Sequence, residues 1–196
     1  VIVCEFVKGL QGDHPRYLKT VSTPKHFAAN NEEHNRSSCN ARMSERDLRE
    51  FYLPSFERCI VDAKAQSIMM AYNAVNGVPC TVNTYLIKNV LRGDWGFNGY
   101  IVSDCSAPEW MVTKHKYVRD LDAAATLAIK AGLDLECGDR VYTAPLLKAY
   151  NESMVSKADI DSAAYRVLRG RMLLGLFDDP SQNPYNQIEP SVICCK

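Results

Sequence analysis

The sequence alternates between short apolar segments of strand length and longer segments in which apolar residues recur every three or four positions. This alternation predicts strands separated by helices, and strands that are apolar throughout predict a parallel sheet covered by helices. Four strand–helix units are predicted, with strand centres near residues 24, 70, 102 and 135. An α/β chain of this kind is either half of a (β/α)8 TIM barrel or part of an open doubly wound sheet, and periodicity alone does not choose between them.

The predicted elements have recognisable boundaries. The strands cover 18–27, 67–72, 99–104 and 133–136. Helices are predicted at five places: the first dozen residues, a segment that starts at a Ser-x-x-Asp capping box at Ser44 and bends at Pro54, a segment capped by Asn83, a segment near 122–130 that ends at Gly132, and a last one that carries Ile160 and Leu168.

Composition excludes several functional classes. Lys and Arg together number 23, as do Asp and Glu, so the formal net charge is zero, and a nucleic-acid partner is not expected. No apolar run approaches the ~18 residues that a membrane span needs. No Gly-rich phosphate loop follows a predicted strand, and the four histidines form no i, i+4 pair, so neither a cofactor nor a metal site is expected.

Polar residues lie at the carboxyl end of each predicted strand or directly after it. In parallel α/β folds such residues gather at one edge of the sheet, where they form a polar cup suited to a polyhydroxy substrate. A carboxylate at this edge can attack or stabilise a cationic carbon, and Cys105 as a thiol nucleophile stays a weaker alternative, because no particular histidine can be paired with it. The residues are Lys25 and His26, Tyr72 and Asn73, Asp104 and Cys105, and Glu136 and Cys137.

Several longer motifs occur in a fixed order along nearly the whole chain. They are Lys25-His26-Phe27, Ser44-Glu45-Arg46-Asp47-Leu48-Arg49-Glu50, Ala71-Tyr72-Asn73-Ala74-Val75-Asn76-Gly77, Gly99-Tyr100-Ile101-Val102-Ser103-Asp104-Cys105, Ala131-Gly132-Leu133-Asp134-Leu135-Glu136-Cys137-Gly138, and Leu174-Gly175-Leu176-Phe177-Asp178. Together they resemble glycoside hydrolase family 3. The resemblance implies that residues 1–177 are the C-terminal half of the family's N-terminal barrel domain and that 178–196 begin a linker to a second domain.

The resemblance also implies an activity. Members of the family remove terminal non-reducing β-linked sugars with retention of configuration, and a cysteine after the nucleophile is most similar to β-xylosidases. The alternatives are a β-glucosidase of the same family and a non-catalytic sugar-binding remnant. The N-acetylhexosaminidase branch is disfavoured because the loop over 28–34 lacks its Gly-His pattern. A secreted or periplasmic location is expected from the family.

Individual residues take roles from the same resemblance. Asp104 matches the nucleophile, Lys25 and His26 match residues that bind sugar hydroxyls, and Tyr72 matches a phenol beside the nucleophile. The proton-donating carboxyl group matches no position here, so Glu136 and Glu32 are candidates only if this chain departs from the family. The first half of the barrel is also unmatched, and the isolated chain is therefore expected to be inactive.

The cysteines give one further expectation. Cys105 and Cys137 end consecutive predicted strands, which lie about 4.8 Å apart when paired, so their Cα atoms fall inside the ~4.4–6.8 Å window of a disulfide. Such a bridge would shape the pocket beside the nucleophile and indicate an oxidising compartment. Cys4 and Cys59 are interpreted as buried thiols. Four units also predict exposed apolar edges at the first and last strands.

Overall fold

Parallel strands lie at the centre of the computed structural model, which describes residues 2–192. Strands β2 (Ser67–Met70) and β5 (Tyr100–Ser103) pair in parallel, with Met70 opposite Ser103. A parallel bridge joins Phe27 to β2 at Met70, and another joins Leu135 to β5 at Val102. The strands are β1 (Asn40–Ala41), β2 (Ser67–Met70), β3 (Ala74–Val75), β4 (Val78–Pro79) and β5 (Tyr100–Ser103).

The predicted strands over 18–27 and 133–136 are wrong in extent, because each is reduced to a single bridge. Pro24 has no N–H group and so cannot continue a ladder of hydrogen bonds, although its carbonyl accepts from Met69 N at 3.1 Å. In the other segment the Asp134 carboxylate takes the Ile101 N–H at 2.8 Å, which a backbone carbonyl would otherwise receive.

Helices surround these strands. Ser44 caps α2 (Glu45–Asp47) by accepting from Asp47 N at 3.1 Å, and Asn83 accepts from Leu86 N at 3.2 Å, as expected. Gly132 ends α5 (Leu121–Ala131) at a φ of +104°, also as expected. The helices are α1 (Ile2–Gln11), α2 (Glu45–Asp47), α3 (Pro54–Glu57), α4 (Ala107–Thr113), α5 (Leu121–Ala131), α6 (Ala144–Asn151) and α7 (Lys157–Leu173), with π-helical segments at Leu48–Tyr52, Arg58–Asp62 and Tyr85–Asp94.

Two features were not predicted. The strands β1, β3 and β4 form a small second sheet whose β3–β4 turn is Asn76-Gly77, both with positive φ. The short helices α4 and α6 follow the third and fourth strand segments. Pro54 does not end its helix, as expected: Leu53 keeps helical backbone angles, its N–H donates to the Leu48 carbonyl at 3.0 Å, and its carbonyl accepts from Glu57 N at 3.0 Å.

The core lies between the strands and the helices, and it includes Cys4 and Cys59 as predicted. The expectation of two exposed apolar edges is right on one side only. Leu135 is 38% exposed, but Phe27 is fully buried. Its ring packs edge-on against Phe56 at 5.1 Å and Trp95 at 5.8 Å, because the helices on that side fold over the strand.

A buried ion cluster fixes the end of the sheet opposite the polar strand ends. The Asp134 side chain has no exposed surface and pairs with Arg92 and with Arg166, each at 2.8 Å. Arg92 also donates to the carbonyls of Phe97 and Gly99 at 2.7 Å each. One carboxylate therefore joins β5, the Tyr85–Asp94 segment and α7.

Replacing this carboxylate should be costly. We expect Asp134→Ala to lower the free energy of unfolding by about 3–5 kcal/mol, because two half-buried guanidinium groups lose their counterion. Asp161, which pairs with Lys157 on the exposed face of α7, supplies the control, and Asp161→Ala should change stability by less than about 0.5 kcal/mol. Urea denaturation of both variants measures the difference, and equal losses would contradict this role of Asp134.

Candidate active site

Asp104 follows β5 directly and is one of two buried carboxylates at the polar strand ends, the other being Glu136. Only 8% of the surface of Asp104 is exposed. Its backbone N–H donates to the carbonyl of Met70 at 3.1 Å, which ties the residue to the end of β2. Its Oδ1 accepts the Cys105 N–H at 2.8 Å. The carboxylate is therefore held in one orientation by the backbone of its own strand end.

His26 contacts the other oxygen of this carboxylate. Its Nε2 lies 3.1 Å from Asp104 Oδ2, and the imidazole is half-buried. Burial lowers the pKa of His26, the Asp104 carboxylate opposes that effect, and the charges of Lys25 and Arg36 add to it. The ring is therefore neutral at pH 7 and offers a single N–H group.

Lys25 is adjacent in sequence but is turned toward solvent. It lines a cavity of about 240 Å³ together with His26, Asn30, Phe51 and Tyr52. Asp104 is not among the residues that line this cavity. Of Lys25 and His26, only His26 makes a side-chain polar contact with Asp104 within residues 2–192.

Tyr72 lies on the neighbouring strand end. Its hydroxyl donates to the Cys105 carbonyl at 2.9 Å. Burial and the nearby Asp104 carboxylate raise the pKa of Tyr72, so the phenol stays protonated at neutral pH and remains a donor. Lys25, His26, Tyr72 and Asp104 thus border one edge, and His26 and Tyr72 flank the carboxylate.

Three residues that the sequence did not single out hold Tyr72. Trp110 stacks on its ring with centroids 4.2 Å apart and planes at 23°. The Arg36 guanidinium lies 5.3 Å from the same ring centroid. His115 Nε2 donates to the Tyr72 carbonyl at 2.8 Å. Their positions depend on α4 and on two loops, for which the sequence carried no distance information.

A disulfide joins Cys105 to Cys137, with Cα atoms 4.4 Å apart. Around it, Ser106 N donates to the Cys137 carbonyl at 2.8 Å, and Cys137 N donates to Ser103 Oγ at 3.0 Å. A disulfide sulfur cannot act as a thiolate, so a nucleophilic Cys105 does not fit this geometry.

The two alternative candidates for the proton donor, Glu136 and Glu32, make other contacts. Glu136 is buried, and its oxygens accept the N–H groups of Val141 and Tyr142 at 3.0 and 2.6 Å, so it orders its own loop. Glu32 is exposed and accepts from His34 N.

Across residues 2–192, no three His, Cys, Asp or Glu side chains group as metal ligands, and no helix is long and apolar enough to cross a bilayer.

Comparison with protein families matches residues 1–170 to the glycosyl hydrolase family 3 N terminal domain. The exo-1,4-beta-xylosidase bxlB of Emericella nidulans is 39% identical over 193 residues, which are 95% of this chain and 25% of that protein. The beta-xylosidase/alpha-L-arabinofuranosidase 2 of Medicago sativa subsp. varia is 37% identical over 200 residues, 96% of this chain and 25% of its own. The chain thus spans about a quarter of the length of these relatives.

Solved structures show the same similarity. A GH3 exo-beta-xylosidase (XlnD) in complex with a xylobiose aziridine activity based probe superposes with a TM-score of 0.89 at 33% identity, over 95% of this chain and 25% of that one. A beta-glucosidase from Listeria innocua in complex with glucose gives a TM-score of 0.85 at 32% identity, over 100% and 27%.

Reduction of the disulfide should destabilise the chain. The bridge closes a segment of 32 residues, so its loss should lower the free energy of unfolding by about 3–4 kcal/mol. Urea denaturation with and without a phosphine reductant measures the change. The Cys39→Ser variant, which removes a half-buried free thiol, should respond as the parent does, and a Cys105→Ser, Cys137→Ser double variant should not respond. An unchanged midpoint in the reduced parent would contradict the prediction.

Proposed function

The chain belongs to glycosyl hydrolase family 3, and from that premise we propose that it supplies part of the active site of a retaining exo-β-xylosidase. The observation that carries the proposal is the buried Asp104 carboxylate, which lies at a strand end with His26 at 3.1 Å and the Cys105 N–H at 2.8 Å. The substrate is a terminal non-reducing β-linked sugar, and the products are the free sugar and the shortened glycoside.

Asp104 is the nucleophile in this proposal. One of its oxygens bonds to the anomeric carbon while the bond to the leaving oxygen breaks and that oxygen takes a proton. Water then attacks the glycosyl ester, frees the carboxylate and restores the β configuration. Lys25 and His26 bind sugar hydroxyls, with Lys25 as a donor, and Tyr72 borders the carboxylate as a neutral phenol.

In this proposal the carboxyl group that acts first as acid and then as base lies outside this chain. A retaining enzyme needs a second carboxyl group about 5–5.5 Å from the first, and the two candidates here are Glu136, which holds its own loop, and Glu32, which is exposed. The relatives are about four times longer than this chain, which leaves room for the donor. We therefore expect the 196-residue chain alone to hydrolyse nothing appreciable.

The same lengths support a half-barrel. In our proposal residues 1–177 form four strand–helix units, which are the C-terminal half of a (β/α)8 domain, and residues 178–196 begin the linker to a further domain. The order Phe27, β2, β5 and Leu135, all parallel, is what consecutive barrel strands require. The missing partners are the first half of the barrel and the domain that carries the proton donor.

Xylose is the preferred sugar in this proposal because the curated relatives include exo-1,4-beta-xylosidases. A β-glucosidase is the second candidate, favoured by the TM-score of 0.85 against the Listeria innocua enzyme. The Cys105–Cys137 disulfide supports a secreted or periplasmic location, since cytosolic thiols are kept reduced.

Removing the nucleophile tests the catalytic role. In the full-length protein we expect Asp104→Ala to lower kcat on nitrophenyl β-xyloside by at least about a thousandfold, because the covalent route is lost. Azide should restore part of the turnover and give an α-glycosyl azide. Asp139→Ala, an exposed carboxylate on the nearby loop, is the control and should keep parental activity. Near-normal turnover by Asp104→Ala would refute the assignment, and an inactive parent would indicate a sugar-binding remnant.

A hydrolysis panel tests the sugar. The full-length protein should have a higher kcat/KM on nitrophenyl β-xyloside than on the β-glucoside, by about tenfold or more if one additional hydroxymethyl group is rejected at the pocket wall. The α-arabinofuranoside is the third substrate, since a relative carries that name. A preference for the β-glucoside would replace the xylosidase proposal with its alternative.

A further inference from the structure

We propose that Trp110 is a positioning residue that acts on the Asp104 carboxylate through Tyr72; this inference rests on the proposed function. Trp110 itself makes no polar contact with Asp104 within residues 2–192. Its indole stacks on the Tyr72 ring at 4.2 Å and 23°, and it is half-buried beside the polar strand ends.

The path from the indole to the carboxylate consists of three contacts. Trp110 stacks on Tyr72, the Tyr72 hydroxyl donates to the Cys105 carbonyl at 2.9 Å, and the Cys105 N–H donates to Asp104 Oδ1 at 2.8 Å. A ring that tilts away from the indole moves its hydroxyl away from the Cys105 carbonyl. The residue that orients the carboxylate would then lose one of its two anchors, the other being its disulfide.

Helix α4 and its exit hold both ends of Tyr72. Trp110 lies on α4 and contacts the ring, while His115, just after the helix, donates to the Tyr72 carbonyl at 2.8 Å. The two are linked directly, because His115 N donates to the Trp110 carbonyl at 2.9 Å. One short segment thus fixes the ring and the backbone of the same tyrosine.

Helix α4 is itself anchored at the site. It begins after Ser106, whose N–H bonds to the Cys137 carbonyl, and its Glu109 pairs with Arg140 at 2.8 Å on the loop beyond the disulfide. The indole is therefore presented from a fixed support. A flat aromatic face on such a support restricts the Tyr72 ring more than a flexible aliphatic side chain would.

The test is a double-mutant cycle in the full-length enzyme. Trp110→Leu should lower kcat about tenfold, the upper range of what an aromatic pair contributes, and leave KM within about twofold. Trp110→Phe should recover most of kcat because it restores a flat ring. The Tyr72→Phe variant has no hydroxyl to bond the Cys105 carbonyl, so adding Trp110→Leu to it should lower kcat much less than in the parent. The effects of the two substitutions on kcat are then not additive.

Control measurements separate this inference from the proposed function. Tyr165→Leu, at a 67% exposed ring on α7, should keep parental kinetics. If Trp110→Leu does not fold, as judged by thermal melting, Trp110→Met takes its place; failure of both to fold would overturn the inference, because Trp110 would then be a packing residue. A Trp110→Leu loss that appears in KM alone, or that is additive with Tyr72→Phe, would also overturn it. Absence of turnover in the parent would instead refute the proposed function.

Discussion

The parallel pairing of β2 with β5 is the interaction on which the candidate site depends. Its register sets Met70 opposite Ser103, so Tyr72 and Asp104 leave their strands at the same edge. Asp104 N continues the pairing by donating to the Met70 carbonyl at 3.1 Å. Because side chains alternate between the two faces of a strand, a slip of one residue would turn the carboxylate away from His26.

The two central strands could be predicted because each is an unbroken apolar run bounded by turn residues. The extent of the flanking segments was wrong for two different reasons. Pro24 has no N–H to give, and this signal was present in the sequence, whereas the Asp134 side chain takes a bond that the backbone would otherwise make, which the sequence does not show. Local hydrogen bonding of this kind follows from where the chain folds back. The caps at Ser44 and Asn83 were predictable because capping depends on neighbouring residues only.

In the candidate site, too, some features could be predicted from the sequence and others could not. That His26, Tyr72 and Asp104 border one edge followed from the rule that polar residues after parallel strands converge. Trp110 stacks on Tyr72 only because α4 turns back across that edge, and the spacing of apolar residues carries no such information. Glu136 had the same sequence signal as Asp104 but accepts the N–H groups of its own loop, so position after a strand does not distinguish a carboxylate that orders its loop from one that contacts His26.

The central claim is that Asp104 forms the covalent bond to the sugar. The most direct test treats the full-length protein with a fluorinated β-xylosyl fluoride, which slows release of the ester, and maps the modified peptide by mass spectrometry. The result predicted here is a single sugar ester on Asp104 that is absent from the Asp104→Ala variant. An ester on another carboxylate, or steady hydrolysis of β-xylosides without any adduct, would contradict it.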